Sequence, residues 1–141
     1  MSAESFFDTN VFIYHLDTSD LRKHDIAGRI IRDAVSSGNG CISYQVVQEC
    51  MNTVLRKAEL RLDAEGARSY LDTVLAPLFH IPASIALYHR ALDIHTRYQF
   101  GFYDALIVAA ALGAGCTRLY SEDLQHGQRI EGLTVEDPFR S

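Results

Sequence analysis

Lysine is almost missing from this chain: of its 13 basic residues, 11 are arginine and only Lys23 and Lys57 are lysine. The net charge is −5, so there is no overall basicity of the kind a polyanion-binding domain usually shows. Arginine suits bidentate phosphate contacts, but coding bias in a GC-rich genome gives the same enrichment. Cysteine is scarce as well. Cys41, Cys50 and Cys116 are scattered and odd in number, and no Cys-x-x-Cys or His-x-x-x-His spacing accompanies them, which excludes an ordinary zinc site. Cys41 and Cys50 lie in apolar patterns and are expected to be small core residues. No apolar run reaches the ~18 residues of a membrane span; the longest, "ALIVAAALGAG", is short and holds two glycines. The N-terminus lacks a basic stretch followed by an apolar one, so no signal peptide is expected. Repeats, low-complexity tracts and linkers are also absent. These absences point to one soluble domain over residues 1–141, with no membrane association, in a reducing cytoplasm.

What is present alternates. "SFF" reads as a short strand and "VFIYHLD" as a helix. A second helix runs from about Asp20 to Ser37 and stops at the turn "SGNG". "CIS" is the next strand. Val46, Val47, Cys50, Met51, Val54, Leu55 and Ala58 then recur at helical spacing as one apolar stripe. "DAEGARSYLDTVL" and "SIALYHRALDIHTRY" read as amphipathic helices, with Pro77 and Pro82 bracketing an extended segment or loop, "LFHI". "ALIVAAAL" is apolar all round and reads as a buried helix. "TRLYS" and "LTVE" close the chain as strands. Short strands alternating with helices predict an α/β fold, a three-layer α/β/α sandwich with a mostly parallel sheet. In such sheets ligands bind beyond the carboxyl ends of the strands.

Four acids map to that edge. Asp8 follows the first strand, set between Phe6-Phe7 and Val11-Phe12-Ile13, where a charge is normally excluded unless something pairs with it. Asp123 follows the "RLYS" strand by two residues. Glu49 sits in the second turn of the helix after "CIS", facing away from the apolar stripe with Asn52, Thr53 and Arg56. Asp104 opens the buried helix. Each has an ordinary reading: a turn or N-cap for the three aspartates, a solvated face for Glu49. Their coincidence at one edge is harder to explain that way. Crowded carboxylates raise one another's pKa unless a cation intervenes. An all-oxygen donor set selects a hard ion, Mg²⁺ or Mn²⁺, which suits attack of water on a phosphodiester.

The motifs that hold these acids resemble those of PIN domains. "FFDTNVFIY" is similar to the opening motif, "YQVVQEC" to the helical Glu segment, and "FYDALIVAAAL" to the third acidic motif. "LYSEDLQHG" is similar to the Ser/Thr-x-Asp motif and "LTVEDPF" to the closing strand. They stand in family order over residues 6–139. The resemblance implies a magnesium-dependent ribonuclease preferring single strands, most often the VapC-type toxin of a bacterial toxin–antitoxin pair. It also implies a homodimer bound by a small antitoxin protein, whose arginine would enter the acidic cleft. By position, Asp8, Glu49, Asp104 and Asp123 would be the catalytic, metal-binding quartet, with Asn10 and Ser121 orienting ligands or water behind them. Glu122 is an extra acid beside the fourth. Arg56 and Arg118 are candidates to hold phosphates near the cleft.

Two other classes of protein carry an acidic pocket, and the first of them also begins with an Asp after its first strand. A haloacid-dehalogenase-type phosphatase needs a second acid where this chain has Asn10, and a strand-end lysine. A response-regulator receiver needs that lysine too. Neither Lys23 nor Lys57 is so placed. The alternative left open is a catalytically inactive PIN-fold module that binds nucleic acid or protein.

Overall fold

Three residues suffice for the first strand because both of its faces are covered. In the computed structural model, which describes residues 3–60 and 62–140, every residue of β1 (Ser5–Phe7) is buried. That accounts for a continuous apolar run in place of an alternating one. Among the described residues six strands form one sheet: β3 (Phe79–Ile81), β2 (Gly40–Ser43), β1, β4 (Arg118–Tyr120), β6 (Leu133–Glu136) and β5 (Arg129–Ile130), in that spatial order. All pairings are parallel except β5 with β6.

The chain builds outward from β1 through β2 to β3, then returns to lay β4 on the other side of β1. Right-handed crossovers in opposite directions put helices on opposite faces. The outward leg carries α1 (Thr9–Leu16), α2 (Leu21–Ser37), α3 (Tyr44–Arg56), α4 (Ala64–Tyr70) and the single turn α5 (Ala76–Leu78). The return leg carries α6 (Ile85–Tyr98) and α7 (Phe102–Gly113), which pack on each other. The result is the expected mostly parallel α/β sandwich, and the reversal beside β1 is its topological switch point.

Local chemistry explains the boundaries. Asp20 caps α2 by accepting from the Lys23 N–H at 3.1 Å, and Gly38 ends it at φ 76°, a left-handed turn that glycine adopts without strain. A side chain at Gly40 would lie 2.8 Å from both Ala34 and Leu78, so glycine lets α2 and α5 close over β2. In α7 every residue from Ala105 to Ala111 is buried. Its alanines allow close approach to the sheet.

Several expectations need correction. "DAEGARSYLDTVL" is not one regular helix: after α4 the backbone widens into a π-turn over Leu71–Leu75 before α5. Pro77 lacks an N–H and crowds the carbonyl four residues back, which the wider turn relieves. "LFHI" is extended as expected, and Phe79–Ile81 joins the sheet edge as β3. The apolar stripe of α3 stops early, since Leu55 is 62% exposed and the helix ends at Arg56. Ala58 falls beyond it, and its side chain is outside the described residues. The two-residue β5 carries no period that a sequence pattern could register. Cys41, Cys50 and Cys116 are all buried free thiols. No helix among the described residues is long and apolar enough to cross a membrane.

Candidate functional site

β1 and β4 end side by side at the switch point, and their next residues begin the site. The Asp8 N–H donates to the Tyr120 carbonyl at 2.9 Å, locking the two strand ends together. Asp8 is the N-cap of α1: one carboxylate oxygen accepts from the Thr9 N–H at 2.7 Å, and the other from the Ser121 hydroxyl at 2.8 Å. The Ser121 oxygen in turn accepts from the Asp123 N–H at 3.2 Å. One hydroxyl therefore couples the carboxylate after β1 to the loop after β4. Asp8 fills its ordinary role as a cap and also lines a cavity.

That cavity, about 280 Å³, is lined by Asp8, Thr9, Asn10, Glu49, Asn52, Thr53, Asp104, Ile107 and Asp123. All four acids singled out from the sequence border it, each from a different segment. Glu49 is half-buried, and its Oε1 accepts from the Thr9 hydroxyl at 2.7 Å. Asp123 is exposed, and its Oδ2 accepts from the Asn10 side-chain amide at 2.9 Å. Asp104 is in the first turn of α7 but is not its cap; Gly101 holds that position. Freed from capping, the Asp104 carboxylate faces the cleft at the positive end of a helix dipole, which favours an anion there.

The electrostatics are those of a site short of positive charge. Asp8 is 6% exposed. Burial, chiefly, pushes its carboxyl up to about 6, against the pull of the Ser121 and Thr9 hydrogen bonds and with the Asp123 and Glu49 charges adding to the rise. Asp104 is also raised, by burial and then by Asp123 and Glu49. Among the described residues, no basic one lines the cavity. As the side chains stand, no three His, Cys, Asp or Glu residues among those described are gathered closely enough to hold a metal ion. Thr9, Ser121 and Asn10 each donate a hydrogen bond to one carboxylate, Glu49, Asp8 and Asp123 in turn. The donor set still fits a hard cation: its oxygens come only from carboxylates, hydroxyls and amides, and a carboxylate oxygen that accepts one hydrogen bond keeps a further lone pair.

Glu122 stands apart from the quartet. It forms an ion pair with Lys23 and accepts from the Tyr14 hydroxyl at 2.7 Å, and only Asp123 of the adjacent pair reaches the cavity. Arg118 is misplaced by the sequence reading. It pairs in register with Ser5, at the amino ends of the strands, where its guanidinium donates to the Ser5 hydroxyl at 2.8 Å. The cleft is at the carboxyl ends. Arg56, in the last turn of α3, does not line the cleft either. Thr9 was overlooked; its only sequence signal is its place between Asp8 and Asn10.

A mostly parallel sheet with an acidic cleft at its switch point defines the class of α/β protein to which this chain belongs. The PIN domain matches residues 5–129, and the chain belongs to the PIN-domain family. Solved structures share its fold at low identity. The VapBC2 complex of Rickettsia felis bound to a DNA fragment from its promoter aligns at 17% identity and a TM-score of 0.67, over 94% of this chain and 96% of that one. The DNA-bound VapBC of Salmonella typhimurium aligns at 18% and 0.67, over 96% and 98%. VapC20 of Mycobacterium tuberculosis, titled a sarcin–ricin loop cleaving toxin, aligns at 21% and 0.62, over 85% and 90%. No curated protein matches the chain.

Proposed function

We propose that this chain is a metal-dependent endoribonuclease acting on single-stranded RNA, and the toxin of a toxin–antitoxin pair. The observation that carries the reading is the cleft: four carboxylates from four segments, two of them with raised pKa, and no basic side chain among the described residues of the lining. Asp8, Glu49, Asp104 and Asp123 would hold Mg²⁺ or Mn²⁺. Bound there, such an ion supplies charge stabilisation for a phosphodiester and acidifies water. The chain's own contribution is orientation. Ser121 fixes Asp8, Thr9 fixes Glu49 and Asn10 fixes Asp123, while Asn52 and Thr53 offer neutral donors along the next turn of α3. That the structural neighbours include toxin–antitoxin complexes and a loop-cleaving toxin supports the reading. The alternative, an inactive PIN-fold binding module, draws on the absence of a closed metal cluster among the described residues.

A metal titration with an RNA-cleavage assay separates the two. Purified protein is expected to cut single-stranded RNA with Mg²⁺ or Mn²⁺, to lose the activity in chelator, and to bind more weakly as salt rises. Cleavage that persists in chelator, or no cleavage with any metal, favours the module.

The partners implied are an RNA substrate, a second copy and a small antitoxin whose arginine would supply the cleft's missing charge. The setting is the cytoplasm. On α6, Ile85 and Leu92 are 70% and 50% exposed two turns apart on one face, an apolar pair that suits a homodimer contact. Leu92→Asp is expected to convert a dimer to a monomer in sedimentation; a monomeric parent removes the homodimer from the proposal.

A further inference from the structure

A second cavity, about 430 Å³, lies where the amino-terminal turns of α3, α6 and α7 meet. Gln45 joins it to the acidic cleft: its side-chain amide donates to Glu49 Oε2 at 3.4 Å and to the Tyr103 carbonyl at 3.2 Å. Among the described residues, no charged one lines this cavity. Its walls are aromatic. The Tyr88 and Phe102 rings are 6.3 Å apart and inclined by 29°, and Tyr103 stands beside Phe102 with ring centroids 5.8 Å apart. Among its lining residues is Ser43, whose hydroxyl is the one buried side-chain polar atom without a hydrogen-bond partner among the described residues. Ser43 is the N-cap residue of α3, yet its hydroxyl caps nothing. A buried donor left unpaired calls for an explanation, because nearly all such groups find a partner.

We propose that this cavity receives an unpaired nucleobase of the RNA strand whose phosphate occupies the acidic cleft, a proposal that rests on the nuclease reading. Phe102 and Tyr88 offer stacking faces, which every base can use. The Gln48 side-chain amide donates and accepts, as the edge of a neutral base requires, with the unpaired Ser43 hydroxyl buried behind the lining. The volume lies within the ~300–1,000 Å³ of small-molecule sites. An uncharged, aromatic, concave site next to an acidic one fits one strand read in two parts, phosphate in the cleft and base in the cavity. A second copy of the chain would meet the exposed Ile85 and Leu92 of α6, which do not line this recess.

Binding, not cleavage, tests it. The Asp104→Asn full-length chain, which removes one cleft charge and is expected to be silent in cleavage, is titrated with labelled single-stranded RNA. A parallel titration uses the same strand carrying abasic positions. Phe102→Ala on that background is expected to weaken binding of the intact strand about tenfold, as loss of one stacked base does, and to leave the abasic strand unaffected. Gln48→Ala, at an exposed helix position, is expected to keep the melting temperature and flatten the preference among bases severalfold. Equal weakening of intact and abasic strands, no effect of Phe102→Ala, or no RNA binding at all overturns the proposal. So does conversion of a dimer to a monomer by Phe102→Ala with RNA affinity unchanged, which would assign the cavity to a second copy. Failure of the nuclease reading shows separately, as absence of metal-dependent cleavage by the parent, and leaves the binding comparison intact.

Discussion

Asp8→Asn is expected to lower metal-dependent RNA cleavage at least about a hundredfold, the rate equivalent of about 3 kcal/mol, while leaving the metal-free fold as stable as the parent or more so. The two effects separate because Asp8 does two jobs with different electrostatic needs. As the cap of α1 it needs an acceptor for the Thr9 N–H, and an Asn carbonyl supplies one. The Asn amide can donate to the Ser121 oxygen, reversing the present bond. As a metal ligand it needs charge, which Asn lacks. The charge is costly without metal: a folded pKa raised from 3.8 to about 6 in a side chain 6% exposed corresponds to about 3 kcal/mol at neutral pH.

The sign of the pH dependence follows. With its folded pKa above its unfolded one, Asp8 binds its proton more tightly in the folded state. The metal-free parent should therefore gain stability relative to Asp8→Asn as pH falls from above about 6 toward 3.8. Below 3.8 the penalty is gone, and above 6 it is complete. Thermal melts in chelator across that range check it. A variant less stable than the parent at pH 7, with no narrowing on acidification, would return Asp8 to a purely structural cap.

Magnesium should give the second large effect. If it binds only the folded state, it is expected to raise parent stability by about 2.7 kcal/mol at a hundredfold excess over its dissociation constant. Glu49→Gln should lose most of that gain. Gln can still accept from the Thr9 hydroxyl as Glu49 now does at 2.7 Å, so the metal-free fold should survive the change. If Glu49 were only a polar residue on a solvated face, its replacement would alter stability by less than ~0.5 kcal/mol and leave the metal shift whole. Paired melts with and without Mg²⁺ tell these apart, and an unchanged metal shift in Glu49→Gln removes that residue from the ligand set.

Sequence by itself determined what depends on local chemistry and on chain order. Buried runs such as Ser5–Phe7 announced strands, the period of Val46, Cys50 and Val54 announced α3, and Asp20 and Gly38 announced the ends of α2. Strand–helix alternation implied parallel pairing, and parallel pairing placed Asp8, Glu49, Asp104 and Asp123 at one edge. Only the tertiary structure decided which groups at that edge meet. Lys23, from α2, takes Glu122 out of the cleft and leaves Asp123 in it, a choice made across 99 residues of separation and invisible in the adjacent letters. Register set Arg118 opposite Ser5 and so at the wrong end of β4, although it is three residues from Ser121. Thr9 bonds Glu49 across 40 residues, and the Ser43 hydroxyl is left unpaired beside a cavity shared by three helices. The physical reason is the same in each case. Capping and periodicity act within one or two turns, whereas the position of a charge or donor relative to its partners depends on strand register and crossover direction, which no short stretch of chain contains.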